Sequence, residues 1–266
     1  MNNRVLRRLN FATAYLEKMH QNDYDLLDLN MIERFYVEDK IHYPTSIAFE
    51  RNNTMMSIRS DWTRSILNYK ERYHIDERKL AYFGPVIRDN KTIIQAGAEM
   101  YEVESEDIIE SISLHLKFIS SQTEQPLTTL IMNDEALLDL YFDKYQLDFS
   151  IRPLIYDKNI SSLADLLGKK HSLYQLLTQP VSQQFESIQA EFSGEGPVEL
   201  INQLIDKLAD LEMKTIVDLS FRSPQTYYNG FYFQIFLTEN SPILSGGQYD
   251  KSAFGIGINL SNGGIV

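Results

Sequence analysis

The 266-residue chain contains no cysteine. That excludes disulfides, thiolate metal ligands and a thiol nucleophile, and it is compatible with a reducing compartment. Basic residues are scarce: 25 Lys and Arg stand against 37 Asp and Glu, a formal charge of −12. An extended nucleic-acid surface needs clustered cations, and a field of this sign repels phosphate. Long apolar runs are also missing, since no stretch approaches the roughly 18 residues that a spanning helix requires. The arginine-bearing start, Met1 to Arg8, passes into Leu9-Asn10-Phe11-Ala12-Thr13 and then Glu17-Lys18, which is not the apolar core of a signal peptide. The sequons at Asn52-Asn53-Thr54 and Asn159-Ile160-Ser161 therefore carry no weight, and the protein is expected in the cytoplasm.

Recognisable reaction motifs are absent as well. His20, His42, His74, His115 and His171 are scattered without metal-ligand spacing, and His115 reads as a surface or internally satisfied residue. Gly168-Lys169-Lys170 lacks the upstream glycine and the following Ser/Thr of a phosphate loop. Gly255-Ile256-Gly257 precedes no helix pattern and reads as a strand closely approached by another backbone or a ligand. No Gly-x-Ser-x-Gly elbow occurs. Neither metal nor cofactor is expected.

What is present is an order of elements. Apolar spacing predicts helices over 3–20 and 62–73, and strands over 24–32, 80–88 and 92–103, with two short strands in 47–58 split by Asn52-Asn53. Ser105 is placed as the N-cap of a helix reaching about 120, with Glu106 and Asp107 in its first turn. A strand over 127–132 and a helix over 134–145 follow, then helical segments over 160–211 broken at Pro180 and at Gly194-Glu195-Gly196-Pro197. The last 50 or so residues turn to strands rich in Phe, Tyr and Ile, over 213–220, 227–237, 243–247 and 253–260. The pattern lacks regular βα alternation, so the expected class is α+β: a mostly antiparallel sheet with flanking helices, whose final strands rejoin the early ones. The chain is expected to form one domain, with 134–211 as a helical insertion.

Four segments together resemble the class II aminoacyl-tRNA synthetase core of the histidyl type. Ile58-Arg59-Ser60-Asp61-Trp62-Thr63 is similar to that family's Arg-Pro-Glu/Asp-x-Thr. Tyr82-Phe83-Gly84-Pro85-Val86-Ile87-Arg88 with Gln95-Ala96-Gly97-Ala98-Glu99 resembles motif 2 and its return strand. Tyr227-Tyr228-Asn229-Gly230-Phe231-Tyr232-Phe233 is similar to the histidine-specific Tyr-Tyr-x-Gly-x-x-Phe. Ser245-Gly246-Gly247-Gln248-Tyr249-Asp250 is close to Gly-Gly-Arg-Tyr-Asp and leads to Phe254-Gly255-Ile256-Gly257-Ile258-Asn259-Leu260 in the place of motif 3. Order and spacing agree over nearly the whole chain.

The departures fall on one side of the implied site. Asn259 stands where motif 3 has its ATP-contacting arginine, and an amide cannot neutralise a triphosphate. Six residues separate Arg88 from Gln95, fewer than in the family's motif 2 loop. Ser223 occupies the position of the arginine before the paired tyrosines, and Arg222 is one residue out of register. Gln248 replaces the arginine of Gly-Gly-Arg-Tyr-Asp, Asn30 the motif 1 proline, and no anticodon-binding domain is expected after motif 3. By resemblance the amino-acid side is retained: Asp61 and Thr63 for an α-amino group, Gln95 and Glu99 on one strand face, Tyr227 or Tyr228 against an imidazole, Arg88 for a carboxylate, with Gly246 and Gly247 alongside. The same residues have plainer readings: Asp61 as a helix cap, Arg88 in an ion pair, Gln95 and Glu99 as solvated strand residues, the tyrosines as packing and Gly246-Gly247 as a turn.

A synthetase core altered in this way resembles the regulatory subunits that partner the short form of ATP phosphoribosyltransferase. The resemblance implies a non-catalytic, aminoacylation-deficient chain in a hetero-oligomer with that catalytic subunit, self-dimerising, binding histidine as feedback signal, and engaging no tRNA and no membrane. A free-standing histidine sensor and a residual amino-acid-activating ligase are the competing readings.

Overall fold

The computed structural model describes residues 3–37, 46–237, 241–250 and 252–261; His42 lies outside them. Among the described residues eleven strands form two sheets, eight in the larger and three in the smaller. The large sheet has the order β1 (Asp25–Leu27), β5 (Lys79–Arg88), β6 (Lys91–Tyr101), β11 (Ala253–Asn259), β10 (Pro242–Tyr249), β9 (Tyr228–Phe236), β7 (Thr129–Asp134), β8 (Lys214–Val217). Its central pairings are antiparallel, and only the outer pairs β1–β5 and β7–β8 are parallel. The return of the last strand to an early one is realised in β11, which pairs with β6 from Ala253 opposite Tyr101 to Asn259 opposite Gln95. The small sheet joins β2 (Ile32–Arg34), β4 (Thr54–Ile58) and β3 (Ala48–Arg51).

Local chemistry sets the joints. Asn52 and Asn53, at φ 52° and 59°, turn β3 into β4, and Asp89 and Asn90, at 49° and 59°, turn β5 into β6. Two residues of positive φ make the type I′ hairpin, which Asn and Asp tolerate better than other side chains. The tip of the β5–β6 hairpin is therefore as short as a hairpin permits. The single strand expected over 24–32 is instead two short ones in different sheets, because 28–31 leaves the ladder as the chain crosses from one sheet to the other. Helix α1 (Arg4–His20) buries Phe11, Ala12, Tyr15 and Met19, and α2 (Trp62–Tyr73) buries Trp62, Thr63, Ser65 and Ile66. The cap of α3 (Ser105–Gln122) is Glu104 and not Ser105: Asp107 accepts from the Glu104 amide at 3.1 Å, closing the first turn one residue earlier.

Between β7 and β8 the chain forms helices α4 (Glu135–Tyr145), α5 (Arg152–Tyr156), α6 (Ile160–Leu167), α7 (Ser172–Thr178), α8 (Val181–Glu191) and α9 (Gly196–Lys207). Their buried residues, among them Leu173, Ile188, Val198 and Leu204, share one apolar cluster with Leu130, Met132, Phe231 and Phe233 of the sheet. At about 25 cal/mol per Å² of buried apolar area, that shared cluster is the main term holding the helices to the sheet.

One polar network crosses this core. Nδ1 of His115 lies 2.7 Å from the Ser111 carbonyl, which can only accept, so Nδ1 carries the proton. Nε2 is then the acceptor for the Tyr15 hydroxyl at 2.9 Å. His115 is fully buried and internally satisfied rather than exposed, and among the described residues no group of His, Asp and Glu could hold a metal ion. Burial pushes the imidazole down from 6.5 to about 4. The unfolded chain therefore takes up this proton first as pH falls, and stability should be lost between about pH 6.5 and 4. His115→Leu should cost about 1–3 kcal/mol at neutral pH by leaving the Tyr15 hydroxyl unpaired, yet flatten that acid limb in thermal unfolding across pH.

Candidate functional site

The start of α2, the faces of β5, β6, β10 and β11, and the approach to β9 enclose a cavity of about 110 Å³. Side chains alternate along β6, so Gln95, Gly97 and Glu99 face the same way, and both polar residues reach the cavity. Of the residues assigned from sequence, Asp61, Thr63, Arg88, Gln95, Glu99, Tyr227 and Tyr228 line it together. Gly246 and Gly247 do not. They lie within β10, and neither forms a turn. A Cβ on Gly246 would come 2.5 Å from the Gly255 carbonyl, and one on Gly247 2.8 Å from that of Phe231. Their role is close backbone approach.

Glu99 is the innermost group, with no exposed surface. Thr63 Oγ1 and the Tyr249 hydroxyl each lie 2.6 Å from one of its carboxyl oxygens. Gly255 sits opposite it in the β6–β11 ladder, and any side chain there would overlap the carboxyl group. Burial pushes the Glu99 pKa up from 4.5 to about 8; the two hydrogen bonds oppose the rise and the nearby Asp61 charge adds to it.

Asp61 holds several partners at once. One oxygen caps α2 by accepting from the Arg64 amide at 3.0 Å, and the other meets Arg88 Nη2 at 2.9 Å. The Tyr227 hydroxyl lies 3.3 Å from the first. Arg88 also donates through Nε to the Ser60 carbonyl at 2.7 Å. The cap and the ion pair read from sequence are thus both present, within the cavity wall. Behind them Arg59, 2% exposed, lies 3.5 Å over Trp62, which stacks on Tyr82 at 4.5 Å. Arg59 donates to the Pro85 and Leu29 carbonyls at 3.1 Å, and burial pushes its pKa down to about 10 against the pull of Glu33 and Asp28.

The departures have structural uses. Gln248 Oε1 accepts from the Phe231 amide at 3.0 Å, where a bulge takes that N–H out of the β9–β10 ladder. Asn259 lines the cavity, and its Oδ1 accepts from the Ser261 amide at 3.0 Å. Arg222 lies over the Tyr156 ring at 5.1 Å and 3.9 Å from Asp157, outside the cavity lining, and Ser223 bonds Gln225 at 2.8 Å. Sequence reasoning missed Tyr249, Tyr82, Gln225 and Ser245. Tyr249 had a signal, since it belongs to the quoted Gly-Gly-Gln-Tyr-Asp segment; Gln225 had none. A larger groove of about 360 Å³ between 28–36 and α2 contains none of the assigned residues.

With two carboxyl groups, one guanidinium already paired, three side-chain amides and several hydroxyls, the cavity suits a small ligand rich in polar groups. The histidyl-tRNA synthetase family model matches residues 7–265. The chain belongs to that family. It is 28% identical over 257 residues, 94% of both chains, to an ATP phosphoribosyltransferase regulatory subunit of Staphylococcus aureus strain bovine RF122 / ET3-1. Its fold is similar to that of an ATP phosphoribosyltransferase regulatory subunit/histidyl-tRNA synthetase from Bacillus halodurans, with TM-score 0.77, 16% identity, and 98% and 79% of the two chains covered. It is likewise similar to a chain of the ATP phosphoribosyl transferase (HisG:HisZ) complex from Thermotoga maritima, with TM-score 0.76, 18% identity, and 95% and 97% covered. Among the described residues no helix is long and apolar enough to cross a membrane. The class II synthetase fold expected from the four motifs is the fold observed.

The elevated Glu99 pKa gives a test of this geometry. The folded chain keeps a proton on Glu99 that the unfolded chain releases near pH 4.5, so stability should fall as pH rises from about 4.5 to 8 and then level off. Glu99→Gln should abolish that decline. Because the amide offers a single acceptor oxygen, the variant should be less stable below pH 5 by about 1–3 kcal/mol and gain on the parent as pH rises.

Proposed function

We propose that this chain is the non-catalytic regulatory subunit of ATP phosphoribosyltransferase, supporting the first step of histidine biosynthesis and conveying feedback by histidine. The observation that carries the proposal is the asymmetry of the cavity. The groups matching the amino-acid side, Asp61, Thr63, Gln95, Glu99 and the Tyr227-Tyr228 pair, converge on it. The positions matching the nucleotide side hold Asn259, Gln248 and a two-residue hairpin tip, Asp89-Asn90. A site with one half kept and the other rebuilt is a reader of an amino acid rather than an activator of one, so aminoacylation is lost. The regulatory-subunit relatives aligned over 94% of the chain support the same reading.

In this role the chain is cytoplasmic, forms a hetero-oligomer with the short catalytic subunit and dimerises with itself. It is a single synthetase-like domain over 1–266 with a helical insertion over 134–211, binding neither tRNA nor a cofactor. Histidine is held with its α-amino group toward Asp61 and Thr63, its carboxylate toward Arg88 and its ring among Gln95, Glu99 and the paired tyrosines; Gly246 and Gly247 serve by close packing. Asp61 already balances Arg88, so a zwitterionic amino acid can join that pair without leaving a buried charge uncompensated.

The test is reconstitution. The short catalytic subunit from the same organism should transfer the phosphoribosyl group far faster with this chain than without it, and histidine should inhibit the mixture. Histidine at a hundred times its Kd should stabilise the isolated chain by about 2.7 kcal/mol, and Gln95→Ala should abolish most of the shift in melting temperature. Histidine-dependent pyrophosphate exchange from ATP would establish an activating ligase and overturn the proposal.

A further inference from the structure

Of the five glycines on β6, β10 and β11, four are explained by the protein's own packing. A Cβ on Gly97, Gly246, Gly247 or Gly255 would stand 2.8 Å or less from another atom. Gly257 is different. Its φ is outside the left-handed region, and a Cβ there would meet one neighbour within 4 Å, the Tyr82 hydroxyl at 3.7 Å. That is an ordinary contact distance. Glycine weakens a strand interior, because it has the most backbone freedom to lose. Neither internal packing nor backbone conformation accounts for the missing side chain at 257.

Gly257 belongs to a row that crosses the sheet. Tyr82 pairs with Gly97, Gly97 with Gly257 and Gly257 with Ser245, so all four present the same face. Tyr82, Gly257 and Ser245 line the cavity. The Tyr82 ring passes over Gly97, which brings its hydroxyl to the edge of Gly257. Tyr82 is 3% exposed, and among the described residues its hydroxyl has no hydrogen-bond partner. Burial holds its pKa well above the usual 10, so the hydroxyl keeps its proton and can both donate and accept.

We propose that Gly257 is the floor of the subsite for the ligand's side chain, and that Tyr82 selects a polar side chain there. The inference rests on the proposed histidine-binding role of the cavity. The ligand's side chain fills the space that a Cβ at 257 would take, and one of its polar atoms bonds the Tyr82 hydroxyl. Both Glu99 oxygens already bond Thr63 and Tyr249, which leaves Tyr82 as an uncommitted group at this depth. A ligand that fills the cavity seals this hydroxyl from water, so the partner must come from the ligand. An apolar side chain of the same shape leaves the hydroxyl unpaired, and that penalty becomes selectivity. An imidazole has nitrogen at its edge and meets the requirement; a thiophene ring of similar size does not.

The test titrates histidine and β-(2-thienyl)alanine into the full chain, alone and mixed with the catalytic subunit. The parent should prefer histidine. Tyr82→Phe removes a hydroxyl with no internal partner and keeps the stack on Trp62, so it should melt at or above the parent temperature. Its affinity for histidine should fall roughly five- to ten-fold, while thienylalanine binds as well as before or better. Gly257→Ala should also melt at or slightly above the parent temperature, yet lose both ligands by roughly ten-fold or more. A parental ratio of the two affinities in Tyr82→Phe, or parental histidine binding by Gly257→Ala, overturns the inference and leaves the histidine-binding role standing. A Gly257→Ala chain that melts well below the parent also overturns it, since the space would then be needed by the protein itself. Failure of the parent to bind histidine, alone and in the mixture, overturns both.

Discussion

The carboxyl group of Glu99 holds together parts of the chain that are far apart in sequence. Thr63, 36 residues before it, and Tyr249, 150 residues after it, both close on that group at 2.6 Å. The start of α2, the C-terminal part of β6 and the end of β10 are thereby fixed to a common point. A buried carboxyl group without such partners would be strongly unfavourable, so these positions are interdependent: each of the three residues is tolerable only while the others are in place. The cavity exists at this point because its floor is an internally bonded polar group and not packed hydrocarbon.

The strands can come this close only where side chains are missing. Gly255 faces Glu99 across the β6–β11 ladder, and Gly246 faces the Gly255 carbonyl from β10. Gly97 lies against Tyr82, and a Cβ there would stand 2.5 Å from the Ile256 carbonyl. These absent side chains have two consequences. They let Tyr82 lie flat in the sheet and stack on Trp62, and they leave the depression that the polar residues of β6 and β10 line. Packing at native density leaves few voids, so a cavity in the middle of a sheet has to be built deliberately from glycines of this kind.

The sequence made the architecture legible because its signals were local. Apolar spacing marked β5 and β6, runs rich in Phe, Tyr and Ile marked β9–β11, and the Asn52-Asn53 pair marked the β3–β4 hairpin. The site was legible through motif resemblance, and seven of its residues do meet in one cavity. Three-dimensional circumstance supplied the rest. Glu99 reads as a solvated strand residue until Tyr249 and Thr63 are seen to cover it. Gly246-Gly247 reads as a turn until β9 and β11 are seen on either side. The cap of α3 moved by one residue because Glu104 and Ser105 are both acceptable at that position, and the Asp107 bond decides between them. Arg59, quoted only as part of a motif, proves to be a buried cation held by two carbonyls and an indole face, which no linear spacing reveals.

The pairing of Asp61 with Arg88 says most about what the cavity can accept. Asp61 is 6% exposed, and its partner guanidinium is largely enclosed at a contact of 2.9 Å. An anionic ligand that captured Arg88 for itself would strip a buried carboxylate of its cation, a change on the order of 3–5 kcal/mol. A cationic ligand that captured Asp61 would strand Arg88 in the same way, and would also displace the Tyr227 hydroxyl and the cap on α2. A zwitterion avoids both penalties, because its two charges can extend the existing pair into an alternating cluster. The phosphate groups of a nucleotide bring only negative charge, and Asn259 and Gln248 add no cation to meet it. The Asp61–Arg88 pair therefore favours a zwitterion over a ligand that carries charge of one sign.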